Sequence, residues 1–261
     1  MLKIEHLSKT FYPGTVNEKT ALRDISLHLK EGDFATIIGS NGAGKSTLFN
    51  AICGDFETDS GTVILDGQDI TFLPTHTRSR KIGRLFQDPM RGSAPHMSIE
   101  ENLALACGKG GWFSRITKKE KEIFREQLAQ LNMGLEERMK QPVGLLSGGQ
   151  RQAITLLMAT FNPPKLLLLD EHTAALDPAT ADAVLRITRE VVQKHHITTL
   201  MITHNMQNAL DMGNRTLMMD NGKIILDVEG EARKKMTVQN LLDQFRADVG
   251  RNLDNDRILL S

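Results

Sequence analysis

Apolar and polar residues alternate through residues 1–30. That is the period of half-buried antiparallel strands, here running around a loop at Tyr12-Pro-Gly-Thr-Val-Asn17. Phe34 to Ile38 is instead a continuous apolar run that ends in glycine, as a buried strand does. Thr62–Leu65 and Gln68–Ile70 flank Asp66-Gly67 and predict a hairpin. From about residue 98 the period changes. Ser98-Ile-Glu-Glu101 and Thr117-Lys-Lys-Glu120 each match a capping box, and Ile123, Phe124, Leu128 and Leu131 follow at helical spacing. A mainly helical segment over about 90–165 therefore interrupts the strands. Alternation then resumes: a strand Leu166–Asp170, a helix opened by Asp177-Pro178, a strand Ile197–Thr203 and a helix ending at Gly213. Asn221-Gly222, between Leu217–Met219 and Ile224–Leu226, marks a closing hairpin. A tail over about 230–261 reads as helical, with Leu241, Leu242 and Phe245 on one side. Strand and helix in alternation predict an α/β fold whose parallel core sheet is covered on both faces.

Composition narrows this picture mainly by exclusion. Lys plus Arg and Asp plus Glu both number 32, so no bulk charge recruits nucleic acid or anionic lipid. The longest aliphatic run, Leu166–Leu169, is far too short to span a bilayer. The first residues, MLKIEHLSKTF, lack a signal peptide's apolar stretch, which predicts a cytosolic chain. Cys53 and Cys107 lie in no metal-like spacing and read as buried thiols; Trp112 and Phe113 read as anchors within the helical insertion.

Three segments carry chemistry. Gly39-Ser40-Asn41-Gly42-Ala43-Gly44-Lys45-Ser46-Thr47 fits G-x-x-x-x-G-K-[ST]. Its glycines let backbone N–H groups approach phosphates, and the following helix aims its positive end at them. In such a loop Lys45 reaches the β- and γ-phosphates, and the Ser46 hydroxyl sits on Mg²⁺. Asp170 and Glu171 end the strand Leu166–Leu169, where open α/β sheets bind ligands. Asp170 is placed to hold Mg²⁺ and Glu171 to act as general base on an attacking water. Leu146-Ser147-Gly148-Gly149-Gln150 opens a second helix, hence a second anion-binding terminus. One chain has no use for two such termini on one triphosphate. Two chains do, if each offers its Ser147 segment to the other's γ-phosphate.

With these three motifs in this order, the chain resembles the nucleotide-binding subunits of ATP-binding cassette (ABC) transporters, over nearly its whole length. The resemblance implies a single ATP-binding domain over residues 1–261: a P-loop NTPase (RecA-like) core with an antiparallel β subdomain and an inserted helical subdomain. It also implies roles for four further residues. Phe11 matches the aromatic that stacks on adenine, with Tyr12 as a substitute. Gln87 matches the glutamine that contacts Mg²⁺ and couples to the permease. Asp177 matches a loop that communicates across the dimer, and His204 matches the histidine that touches the γ-phosphate. The chain departs from the pattern at His172, where proline commonly follows the catalytic glutamate; a packing role is expected for it. Ala153 and Met158 stand at usual arginine positions.

The resemblance implies ATP and Mg²⁺ as cofactors. It implies as partners a second copy or a homologous ATPase subunit, integral membrane permease subunits and an extracytoplasmic substrate-binding lipoprotein. The expected place is the cytoplasmic face of the cell membrane, and the expected task is import of an amino acid or similar small solute. Residues around Gln87 to Glu101 are expected to form the permease-docking surface. A soluble cassette ATPase of the iron–sulfur assembly type and the ATPase of an exporter are the alternative readings.

Overall fold

The computed structural model describes residues 1–108 and 116–249. Trp112 and Phe113, and the tail beyond residue 249, lie outside the described residues. Along the chain run β1 (Leu2–Phe11), β2 (Lys19–Leu29), β3 (Phe34–Gly39), α1 (Lys45–Cys53), β4 (Ser60–Leu65), β5 (Gln68–Asp69), α2 (Thr75–Arg78) and β6 (Ile82–Leu85). Then follow α3 (Ile99–Ala106), α4 (Lys118–Ala129), α5 (Gly148–Thr160), β7 (Leu166–Asp170), α6 (Pro178–His195), β8 (Thr198–Ile202) and α7 (Met206–Met212). Last come β9 (Arg215–Asp220), β10 (Lys223–Glu229), α8 (Gly230–Lys234) and α9 (Val238–Val249). The described chain divides into two compact units.

Among the described residues the first unit comprises Met1–Ile82, Lys165–Glu171 and 196–249. Its antiparallel sheet has the order β2-β1-β4-β5. Its core sheet runs in the order β10-β9-β3-β8-β7, with β3 parallel to both β8 and β9 and β7 parallel to β8. Every residue of β3 and β8 is buried, and Leu166–Leu169 are 0 % exposed, the signature of strands covered on both faces. Leu48, Phe49 and Ile52 of α1 pack into the core that Leu166, Leu168, Leu200 and Ile202 build. α9 docks on this unit: Leu241, Leu242 and Phe245 pack against Ile38, Met206, Ala209 and Met218.

Two buried arginines finish helices there. Arg78 donates to the carbonyls of Ala51 and Ile52 at 2.8 and 2.9 Å, capping the end of α1. Arg233 does the same for α7, donating to Ala209 and Leu210 at 2.9 and 2.7 Å. A last-turn carbonyl left buried without a donor would cost about 1–3 kcal/mol, so these two side chains hold helices whose ends have no basic residue of their own.

The second unit comprises Gly83–Pro164 and His172–His195. It contains the expected helical insertion and takes in α6 as well. Both capping boxes formed: Ser98 accepts from the Glu101 amide and Thr117 from the Glu120 amide, and each glutamate returns the bond. Phe124 and Leu128 are the buried side of α4, with Phe124 edge-on to Phe161 at 5.6 Å. Cys53 is buried as expected, but Cys107, at the end of α3, is only half-buried. Among the described residues no helix is long and apolar enough to cross a membrane.

Candidate functional site

In the first unit, β3 delivers the chain into the loop Gly39–Gly44 and α1 takes it away. Gly39 has φ 151°, and a Cβ on it would stand 2.1 Å from the Met219 carbonyl oxygen, so β9 admits only glycine there. Gly44 caps α1 in the left-handed region at φ 101°, and no side chain caps the helix. The first amides of α1 are therefore left to a ligand. The loop is braced from behind: Gly222 donates to the Ala43 carbonyl at 3.0 Å, and Ser40 Oγ donates to Asp220 at 3.2 Å.

The loop frames a cavity of about 160 Å³ lined by Lys19, Ala21, Asn41–Thr47 and Glu171. Lys45 Nζ is buried and donates to the carbonyls of Gly39 and Ser40 at 2.8 and 3.0 Å. Burial lowers the Lys45 pKa, and the carboxylates of Glu171 and Asp170 push it back up. Ser46 Oγ lies 3.4 Å from Asp170 Oδ1, so a hydroxyl and a carboxylate converge at the end of α1's first turn. Glu171 follows at the end of β7 with φ 48°. A non-glycine residue there is uncommon, and such departures collect at functional positions. His204, just past β8, brings Nε2 to 2.5 Å from Glu171 Oε1. Thus Lys45, Ser46, Asp170, Glu171 and His204 are assembled at the carboxyl ends of three parallel strands.

Phe11 does not line the cavity. It is half-buried, edge-on to Phe56 at 5.2 Å, with Lys9 Nζ 5.7 Å from its ring centre. It ends β1 opposite Lys19, which does line the cavity. Tyr12 is 68 % exposed, again with a positive φ.

The remaining motif residues lie in the second unit. Ser147 caps α5, accepting from the Gln150 amide at 3.3 Å, while the Ser147 amide donates to Gln150 Oε1 at 3.3 Å. Arg151 Nη2 donates to the Leu146 carbonyl at 2.7 Å and fixes the approach to the helix. α6 packs against this start. A Cβ on Gly149 would lie 2.0 Å from Thr180 Cγ2, and one on Gly148 3.0 Å from Leu176. Asp177 accepts from the Thr180 amide at 3.1 Å, and bonding from Thr180 holds its carboxyl below the usual range. So the LSGGQ segment and the Asp177 turn adjoin. Gln87 follows Phe86, whose ring has the guanidinium carbons of Arg84 and Arg91 at 4.7 and 4.9 Å and whose carbonyl accepts from Gln152 at 3.5 Å. His172 is 2 % exposed, with Nε2 3.3 Å from Thr188 Oγ1, which is the packing role expected of it.

Lys19, Arg78 and Arg151 were not singled out from the sequence. Arg78 and Arg151 act on carbonyls 5 to 27 residues away and Lys19 shares its cavity with residues as distant as Glu171, and no local pattern announces that.

The ABC transporter family model matches residues 22–174. A tyrosine transport ATP-binding protein of Clostridioides difficile (strain R20291) is 40 % identical over 95 % of this chain and 100 % of its own length. The high-affinity branched-chain amino acid transport ATP-binding protein BraG of Pseudomonas aeruginosa is 33 % identical over 81 % of this chain and 88 % of its own length. A dimeric ATP-binding cassette in a post-hydrolysis state, bound to ADP and Pi, superposes with a TM-score of 0.75 at 27 % identity, covering 88 % of this chain and 98 % of that one. With a phosphate loop, an acidic strand end and an LSGGQ helix start on an α/β cassette fold, the chain belongs to the ABC transporter family, as an ATP-hydrolysing subunit that energises transport.

Proposed function

We propose that two copies of this chain, or one copy and a homologous subunit, close around two ATP molecules and drive an amino-acid importer. The carrying observation is the convergence of Lys45, Ser46, Asp170, Glu171 and His204 on the cavity end of the first unit. The amides of Gly39–Thr47 cradle the phosphates, and Lys45 exchanges its two carbonyl partners for phosphate oxygens. Phe11 stacks on adenine.

The Ser46 hydroxyl and the Asp170 carboxylate are hard oxygen donors set close together, a pair suited to Mg²⁺. Bound there, the metal supplies positive charge to the phosphate oxygens. Glu171 accepts the proton of the attacking water. His204, already against Glu171, holds that carboxylate and reaches the γ-phosphate. Ser147–Gln150 and Asp177 of the other subunit complete the site. Two findings support that sharing: a related cassette is a dimer with ADP and Pi, and the LSGGQ segment adjoins the Asp177 turn.

The relatives named for tyrosine and branched-chain amino-acid transport support an amino acid as cargo. The permease would dock on residues 87–101 at the cytoplasmic face of the membrane, with a lipoprotein delivering solute outside. The chain would then act as one ATP-binding domain whose helical part is the insertion.

The test is Glu171→Gln. Glutamine keeps the shape but cannot take the proton, so hydrolysis should fall about 10²–10⁴-fold while ATP affinity persists. Light scattering with Mg-ATP should then show a stable dimer. Near-normal turnover would remove Glu171 from the role. Lost turnover without a dimer would count against the shared site.

A further inference from the structure

We propose that Lys19 is a second lysine of the polyphosphate site, setting affinity for ATP and ADP alike. This rests on the phosphate-loop reading above. Lys19 opens β2 and lines the same cavity as Asn41–Thr47. Its Nζ lies 3.8 Å from where a Cβ on Gly42 would stand, so the ammonium hangs over the loop whose amides face the phosphates.

Nearby lysines are engaged. Lys9 is held by Asp59 at 2.9 Å, and Lys45 is bound to the Gly39 and Ser40 carbonyls. Lys19 is exposed, and among the described residues its ammonium has no ion pair. The one carboxylate that shares the cavity, Glu171, is taken by His204. A cation without a counter-charge beside a loop built for polyanions is electrostatically incomplete until an anion arrives.

Chain position narrows the ligand further. Lys19 is the cross-strand partner of Phe11, so its stem begins beside the ring assigned to adenine and its head ends at the phosphate loop. That span fits the part of the nucleotide between base and terminal phosphate, which ATP and ADP share. Lys45 answers to the far end of the same chain. Lys19 therefore governs how tightly either nucleotide is held, and ADP release with it, rather than the chemical step.

The experiment is calorimetry on the full chain with ATP and with ADP, at low and high salt, for the wild type, Lys19→Met, Lys19→Arg and Lys45→Ala. A single exposed charge-assisted contact is worth about threefold to tenfold in affinity. Lys19→Met should weaken both nucleotides by that factor and flatten the salt dependence, while Lys19→Arg stays near wild type. Wild-type affinity in Lys19→Met, or an equal loss in Lys19→Arg, overturns the proposal. Normal binding by Lys45→Ala would instead overturn the phosphate-loop reading on which it stands.

Discussion

Helix α1 begins at Gly44 with no side chain over its first amides, whereas α5 begins at Ser147 with both halves of a capping box in place. Both are helix starts rich in glycine, and both suit an anion. They differ in what already occupies those amides. At α1 the donors are unspent, and the buried Lys45 supplies a charge beside them. At α5 Ser147 and Gln150 satisfy each other, though at 3.3 Å, near the long end of a hydrogen bond. In the proposed reading the first site binds nucleotide as it stands. In the same reading the second is at rest until a phosphate offers better bonds than its own side chains do. The start of α1 is thus the one proposed to hold ATP, and the start of α5 the one proposed to respond to it.

The largest expected effect tests the holding end. Lys45→Ala removes the buried ammonium and should weaken ATP binding about a thousandfold, roughly 4 kcal/mol, by calorimetry. If binding survives, α1's amides suffice alone and the contrast with α5 loses its electrostatic half.

Lys45 of the first unit and His172 of the second are both buried nitrogen bases, and these differ in the same sense. Lys45 has Glu171 and Asp170 to sustain its charge, while His172 has only Thr188. Burial lowers the His172 pKa from 6.5 to about 4. Between those values the unfolded chain binds the proton and the folded chain does not. Stability therefore falls as pH falls through that window, by up to about 3 kcal/mol, and His172 adds no slope above it. Urea unfolding of the wild type at pH 7 and pH 5 should show about 2 kcal/mol of this loss. His172→Gln should lack it. An equal slope in the variant would assign the loss to other groups.

The responding end can be broken by volume alone. Gly149→Ala places a methyl 2.0 Å from Thr180 Cγ2, so α5 and α6 must shift. ATP binding should be unchanged while hydrolysis falls about tenfold or more, roughly 1.4 kcal/mol of barrier. Thr180→Ser removes that methyl group, and the double variant should recover most of the rate. A binding defect in Gly149→Ala would mean the two ends are not separable in this way.

Much of this contrast was legible in the sequence, because both helix starts are contiguous motifs. Gly39–Thr47, Leu146–Gln150 and Asp170-Glu171 each pack their chemistry into a few neighbouring residues. The two capping boxes at Ser98 and Thr117 were readable for the same reason, as was the double burial of Leu166–Leu169. What could not be read is what crosses the fold. Arg78 capping α1 from 27 residues away and Arg233 capping α7 carry no spacing signature. Nor does the absence of a cap on α1 show in the letters, since Gly44 reads the same whether its amides are covered or open. Phe11 was placed by resemblance alone, and its edge-on packing on Phe56 follows from a pairing the sequence does not print.

The smallest expected effect separates the two duties of Ser147. Its hydroxyl caps α5 and, in the reading above, meets the partner's γ-phosphate. Losing an N-cap hydroxyl to alanine costs about 0.5–2 kcal/mol, and to glycine only a few tenths. At 3.3 Å the Ser147 bond belongs at the low end of that range. Ser147→Ala should thus lower unfolding stability by about 0.5 kcal/mol and Ser147→Gly by less, with ATP affinity of the single chain unaltered in both. Hydrolysis discriminates between the duties. If the hydroxyl acts only by shaping its helix, the glycine variant keeps most of its turnover and the alanine variant loses more. If it bonds the nucleotide, both lose the same bond and turnover falls equally, about threefold to tenfold, despite their different stabilities. Equal loss is the outcome expected of a cap that is given up when ATP arrives.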